Sequence, residues 1–106
     1  MSPMLSAISD QLRQRLEAIY GTRLRKLVLF GSHARGDAES GSDIDVLVVL
    51  EGETLPELEI ARTGEIAAEL SLHHDVVISL TFASAERYAA EQSPLLINVR
   101  HEGVTI

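Results

Sequence analysis

Leu27-Val28-Leu29-Phe30-Gly31-Ser32-His33-Ala34-Arg35-Gly36, a polar loop, then Ser42-Asp43-Ile44-Asp45-Val46-Leu47-Val48-Val49-Leu50: this stretch decides how the chain reads. An apolar run ends in Gly-Ser, and a second apolar run begins with two aspartates one residue apart. In a strand, residues i and i+2 point to the same face, so Asp43 and Asp45 are predicted to project side by side. Neighbouring carboxylates repel unless a cation lies between them. The chemistry that suits them is a divalent-metal site, with Mg²⁺ bound together with substrate phosphates.

Aspartate is disfavoured inside strands, yet here two open a strand that otherwise reads as buried. The bland alternative is a polar strand entrance in which Ser42-Asp43 caps a turn. Gly31-Ser32 offers close backbone approach and a hydroxyl beside exposed N–H groups, a combination suited to a phosphate. On its own it also fits an ordinary strand-to-helix turn. Arg35, four residues on, could hold phosphate oxygens in its planar fork or merely pair with a nearby carboxylate. A third carboxylate, Asp75, stands before the apolar residues Val76, Val77, Ile78 and Leu80. It could hold a metal or act as a general base, or be no more than a strand-entrance aspartate. His33, His73, His74 and His101 lack the spacing of a zinc site and read as surface or core-lining residues.

Working outward, Ser2-Pro3 is a helix start. Leu5, Ile8, Leu12, Leu16 and Ile19 then recur at spacings of three and four, which predicts a helix over 3–20 ended by Gly21. Strands are expected over 25–31 and 43–50, both nearly continuous apolar runs and so buried on two faces. Ser32–Arg35 is expected to make a helical turn. Leu58, Ala61, Ile66 and Leu70 predict a helix over 56–72. A third strand is expected over 74–81, helices near 84–91 and 94–101, and a short terminal strand after Gly103. This order gives an α/β (α+β) fold, a small mixed sheet covered by helices.

The chain has 106 residues, 45% of them hydrophobic, and no cysteine. The length fits one domain spanning 1–106, and the missing cysteine excludes disulfides, zinc-thiolate sites and cysteine nucleophiles. There is neither a membrane-length apolar run nor a secretory leader pattern, so the expected location is cytoplasmic. The net charge of −7 is uneven: residues 1–35 hold six basic and two acidic residues, and residues 36–106 hold three basic and fourteen acidic. Such a chain is a poor general binder of nucleic acid. Its acidic remainder favours a basic protein partner.

Taken together, Gly31-Ser32 through Gly36, followed by Ser42-Asp43-Ile44-Asp45, resembles the signature of the minimal nucleotidyltransferases (MNT) of the DNA polymerase β superfamily. The resemblance implies a palm-like mixed sheet. It implies that Asp43 and Asp45 bind Mg²⁺, with two ions expected, and that Asp75 completes the catalytic site. Gly31 and Ser32, with Arg35 and Ser42 in the same stretch, would hold the nucleotide. The reaction would be attack of an acceptor hydroxyl on the α-phosphorus of ATP. Small members of the family act as antitoxins that AMPylate a HEPN-type ribonuclease toxin, which is the partner implied here. Two alternatives stay open: an antitoxin that masks its toxin sterically, and a small-molecule nucleotidyltransferase of the antibiotic-modifying kind that needs a partner subunit.

Overall fold

A computed structural model describes residues 2–106. In chain order the elements are α1 (Pro3–Tyr20), a 3₁₀ turn (Gly21–Arg23), β1 (Leu24–Phe30), α2 (Ser32–Arg35), β2 (Ile44–Leu50), α3 (Pro56–His74), β3 (Ile78–Ser84), α4 (Ala85–Ala90), α5 (Pro94–Glu102) and β4 (Val104–Thr105). Proline opens α1, α3 and α5, where its missing N–H has no intrahelical partner to lose. The Ser2, Ser84 and Ser93 hydroxyls cap α1, α4 and α5 by accepting from Leu5, Arg87 and Leu96 N–H. Each replaces a bond that a free helix end would lack.

The four strands form one mixed sheet in the order β3-β2-β1-β4. β1 is antiparallel to β2 and to β4, while β2 and β3 run parallel. Parallel neighbours need a long crossover, and α3 supplies it. Alternation along the strands then builds two cores. Ile44, Val46, Val48 and Leu50, with Leu27, Leu29, Ile78 and Phe82, face Ile8, Leu12 and Leu16 of α1 and Ile66 and Leu70 of α3. The other face sets Val28, Leu47, Val49 and Ala83 against Leu96 and Val99 of α5. Asp43 and Asp45 belong to the series of Leu47 and Val49, so they lie on the α5 side of the sheet.

The helix over 3–20 and the turn at Ser32–Arg35 fall as expected. β2 is buried except at the half-buried Asp45, but the first residues of β1 are not buried. Three further expectations are corrected. The inner stripe of α1 ends on Tyr20, and Ile19 is exposed. The inner stripe of α3 is Glu59, Thr63, Ile66 and Leu70, with Leu58 outside; a helix turned by 100° per residue puts 59, not 58, in line with 63, 66 and 70. Glu59 is tolerated there because the Tyr20 hydroxyl donates to its Oε1 at 2.9 Å and Arg62 pairs with the same oxygen at 3.4 Å.

The 3₁₀ turn Gly21–Arg23 has no signal in the sequence. The third correction concerns an element boundary. The third strand begins at Ile78, not residue 74, because α3 continues through His74. Asp75 then ends that helix in the left-handed conformation, φ 53° and ψ 47°. Aspartate is among the few residues that accept this conformation readily.

Candidate functional site

The site residues gather at one end of the sheet because of strand direction. β1 runs into that end, and antiparallel β2 and its parallel neighbour β3 run out of it, with Phe30 paired to Asp45 and Asp45 to Ser79. β1 stops at Gly31, whose φ of 76° lies in the region reserved mainly for glycine. Its carbonyl accepts from Ala34 and Arg35 N–H, which turns the chain into α2. Gly36, also at positive φ, ends that single helical turn.

Glycine at position 31 has a second reason. A Cβ there would stand 2.6 Å from Asp45 Oδ2, so the Asp45 carboxylate rests directly against the Gly31 backbone. That approach withdraws Asp45 from water, and Asp43 adds a like charge. Burial first and Asp43 second push the Asp45 carboxyl above the ordinary range, while His33 and Arg35 partly offset them. A carboxylate in this state gains most from a neighbouring cation.

The loop between α2 and β2 is held by its own side chains. The Ser42 hydroxyl accepts from Glu39 N–H at 2.9 Å, Ser42 N–H donates to Glu39 carbonyl oxygen, and the Ser42 carbonyl oxygen lies 3.2 Å from His33 Nε2. Ser42 is therefore engaged in turn geometry. Arg35 pairs with Asp37 at 3.2 Å and with Glu102 at 3.3 Å. Both carboxylates favour its charged form, Asp37 more strongly.

Gly31, Ser32, Arg35, Asp43 and Asp45 are thus brought together. Asp75 stands at the end of α3 and lines a cleft of about 520 Å³ with His33, Gly36 and Ser42 of the same stretch, His74 and the start of α1. Among the described residues no three His, Asp or Glu side chains form a group that could hold a metal ion. The donor set is the Asp43–Asp45 pair, two hard carboxylates, which suits a cation that takes its remaining ligands from water and substrate phosphate. Glu102 was missed by sequence reading: its Oε1 also accepts from Gly31 N–H at 3.3 Å. An acid at a helix C-terminus before Gly103 gives no sequence signal of that role. No helix is long and apolar enough to cross a membrane among the described residues.

Known proteins share this chain's sequence pattern and fold. The family described as a nucleotidyltransferase domain matches residues 9–104. Two candidate protein adenylyltransferases of Methanocaldococcus jannaschii align with the chain. One is 33% identical over 97 residues, covering 92% of this chain and 57% of that protein. The other is 37% identical over 73 residues, covering 68% of this chain and 72% of that protein. The chain therefore spans little more than half the length of the first. Among solved structures, a chain of a toxin–antitoxin complex with AMP-PNP superimposes with a TM-score of 0.64 at 23% identity, covering 92% of this chain and 70% of that one. A chain from a complex of tri-AMPylated Shewanella oneidensis HEPN toxin with MNT antitoxin gives 0.58 at 21%, covering 94% and 69%. A candidate minimal nucleotidyltransferase gives 0.58 at 26%, covering 99% and 97%.

Proposed function

This chain belongs to the nucleotidyltransferase domain family, and from that premise we propose that it transfers AMP from ATP to a hydroxyl of a protein, acting as the antitoxin of a HEPN-type toxin. The observation that carries the reading is the Asp45 carboxylate seated on Gly31 beside Asp43, with the Ser32 turn and Arg35 at the same sheet end. The names of the curated relatives support protein adenylylation. The toxin–antitoxin neighbours support the partner class, as does the acidic balance of residues 36–106.

In this reading Gly31 and Ser32 present N–H and hydroxyl donors to the triphosphate, and Arg35 supplies a charged fork to its oxygens. Asp43 and Asp45 would hold Mg²⁺, which when bound neutralises charge on the reacting phosphates. The acceptor oxygen forms a bond to the α-phosphorus, the bond to the pyrophosphate oxygen breaks, and the hydroxyl proton passes to a base, for which Asp75 is the candidate.

The test is intact mass spectrometry of the toxin encoded beside this chain, after incubation with the protein, Mg²⁺ and ATP. Additions of about 329 Da each are expected, the mass of AMP less water that such a displacement leaves on the acceptor. They should disappear with Asp43→Ala while the complex still forms. A toxin that stays unmodified yet is neutralised by wild type and by Asp43→Ala alike would replace this reading with a steric antitoxin.

A further inference from the structure

Glu102 sits on the donors that the nucleotide would need. Its Oε1 accepts from Gly31 N–H at 3.3 Å and from Arg35 Nη1 at 3.3 Å, and its Oε2 lies 3.5 Å from the same nitrogen. A backbone amide of a tight turn and a guanidinium converging on one anionic oxygen is the pattern by which a protein holds a phosphate oxygen. The contacts are longer than the 2.7–2.9 Å or so usual for charge-assisted bonds, so the carboxylate is held loosely.

The backbone beneath it is fixed. Gly103 N–H donates to Val99 carbonyl oxygen at 2.8 Å. A Cβ on Gly103 would overlap that same oxygen and Val28 Cγ1. Val104 and Thr105 pair with Leu29 and Val28, Ile106 N–H donates to Leu27 carbonyl oxygen, and Arg13 reaches the Ile106 carbonyl oxygen. The Glu102 side chain is only partly buried.

We propose that Glu102 is a gate on the phosphate cradle: its carboxylate takes the place of a phosphate on Gly31 and Arg35, and it must swing away before the triphosphate binds. The inference rests on the reading of Gly31 and Arg35 as nucleotide-binding. Glu102 is not a catalytic residue here; it sets how much of the protein is free to bind. A site that is competent only part of the time shows an affinity lowered by that fraction.

Calorimetry of Mg-ATP binding to wild type, Glu102→Gln, Arg35→Ala and the double variant tests this, alongside the Gly31 amide resonance in ¹⁵N-labelled protein. Glutamine keeps size and an acceptor for Gly31 but removes the charge. Binding by Glu102→Gln should tighten roughly three- to tenfold. The gain should shrink in the Arg35→Ala background, because the two changes act on one contact. The Gly31 resonance should move on adding ATP to wild type, and part of that movement should be present in Glu102→Gln without ligand. Equal or weaker ATP binding by a folded Glu102→Gln would overturn the gate while leaving the cradle in place. Absence of ATP binding by wild type and variant alike would instead remove the cradle reading, and the gate with it.

Discussion

Asp45 Oδ2 lies 2.6 Å from the point where a Gly31 side chain would begin. A side chain at position 31 would have to displace the Asp45 carboxylate. Gly31→Ala adds a methyl group at this point and forces alanine to φ near 76°. Strain of this kind costs on the order of 1–3 kcal/mol. The variant should melt lower than wild type and lose Mg-ATP affinity because Asp45 is displaced. Scanning calorimetry and titration of the same sample check both effects. A Gly31→Ala protein with unchanged melting and unchanged affinity would show that the approach has no importance.

Asp45 should also tax the fold. Its carboxyl is pushed up, first by burial and then by Asp43, so the folded state binds its proton more tightly than the unfolded chain does. Stability must then fall as pH rises from the unfolded value near 3.8 through the raised folded value. Above both, the full cost is present. Asp45→Asn removes it, and the variant should be more stable than wild type at pH 7 in metal-free buffer. The gain should appear as a higher melting temperature. The advantage should fade as pH drops below 4. Mg²⁺ should raise the melting temperature of wild type more than that of the variant, since only a ligand that binds the folded state stabilises it. A variant less stable than wild type at pH 7 would contradict this placing of the charge.

Much of this was legible in the residues. Gly31-Ser32 and the i, i+2 aspartates were visible because a strand has a period of two, and the structure keeps both at one sheet end. The α1 span was legible from its stripe and its Ser2-Pro3 start. What failed was helix phase and helix length. Ile19 and Leu58 satisfy a spacing count, but Tyr20 and Glu59 meet each other inside, a pairing between distant residues that no local pattern reveals. The start of β3 was misplaced because His73-His74-Asp75 carries no strong stop signal, and only the left-handed conformation of Asp75 marks the boundary. Glu102 was invisible for the same reason as Glu59: its partners lie 67 and 71 residues away in sequence.

The Tyr20–Glu59 bond carries a further prediction. The Tyr20 hydroxyl is held protonated, chiefly by burial and then by its bond to Glu59, and Glu59 is only 2% exposed. Tyr20→Phe keeps the ring against Phe82 but leaves the buried carboxylate short of a donor. The expected loss is about 1–3 kcal/mol. Glu59→Gln keeps an acceptor for Tyr20 and should cost less. Urea denaturation of the two variants measures the difference; a Tyr20→Phe protein as stable as wild type would mean that Arg62 alone satisfies Glu59.

Asp75 separates binding from chemistry. It terminates α3 in a conformation that asparagine accepts as readily as aspartate, so Asp75→Asn should fold with a stability within about 0.5 kcal/mol of wild type. The structure does not bring it into a group with Asp43 and Asp45, and Mg-ATP affinity should therefore stay within roughly twofold, the scatter expected when no direct contact is removed. Loss of a general base, in contrast, should slow AMP transfer by about 10²–10⁴-fold. Titration and a transfer assay on one preparation give the answer. If affinity and transfer fall together, Asp75 is a metal ligand and its turn unwinds when nucleotide binds. If neither changes, Asp75 ends a helix and does nothing more, and the proton of the acceptor hydroxyl must go elsewhere.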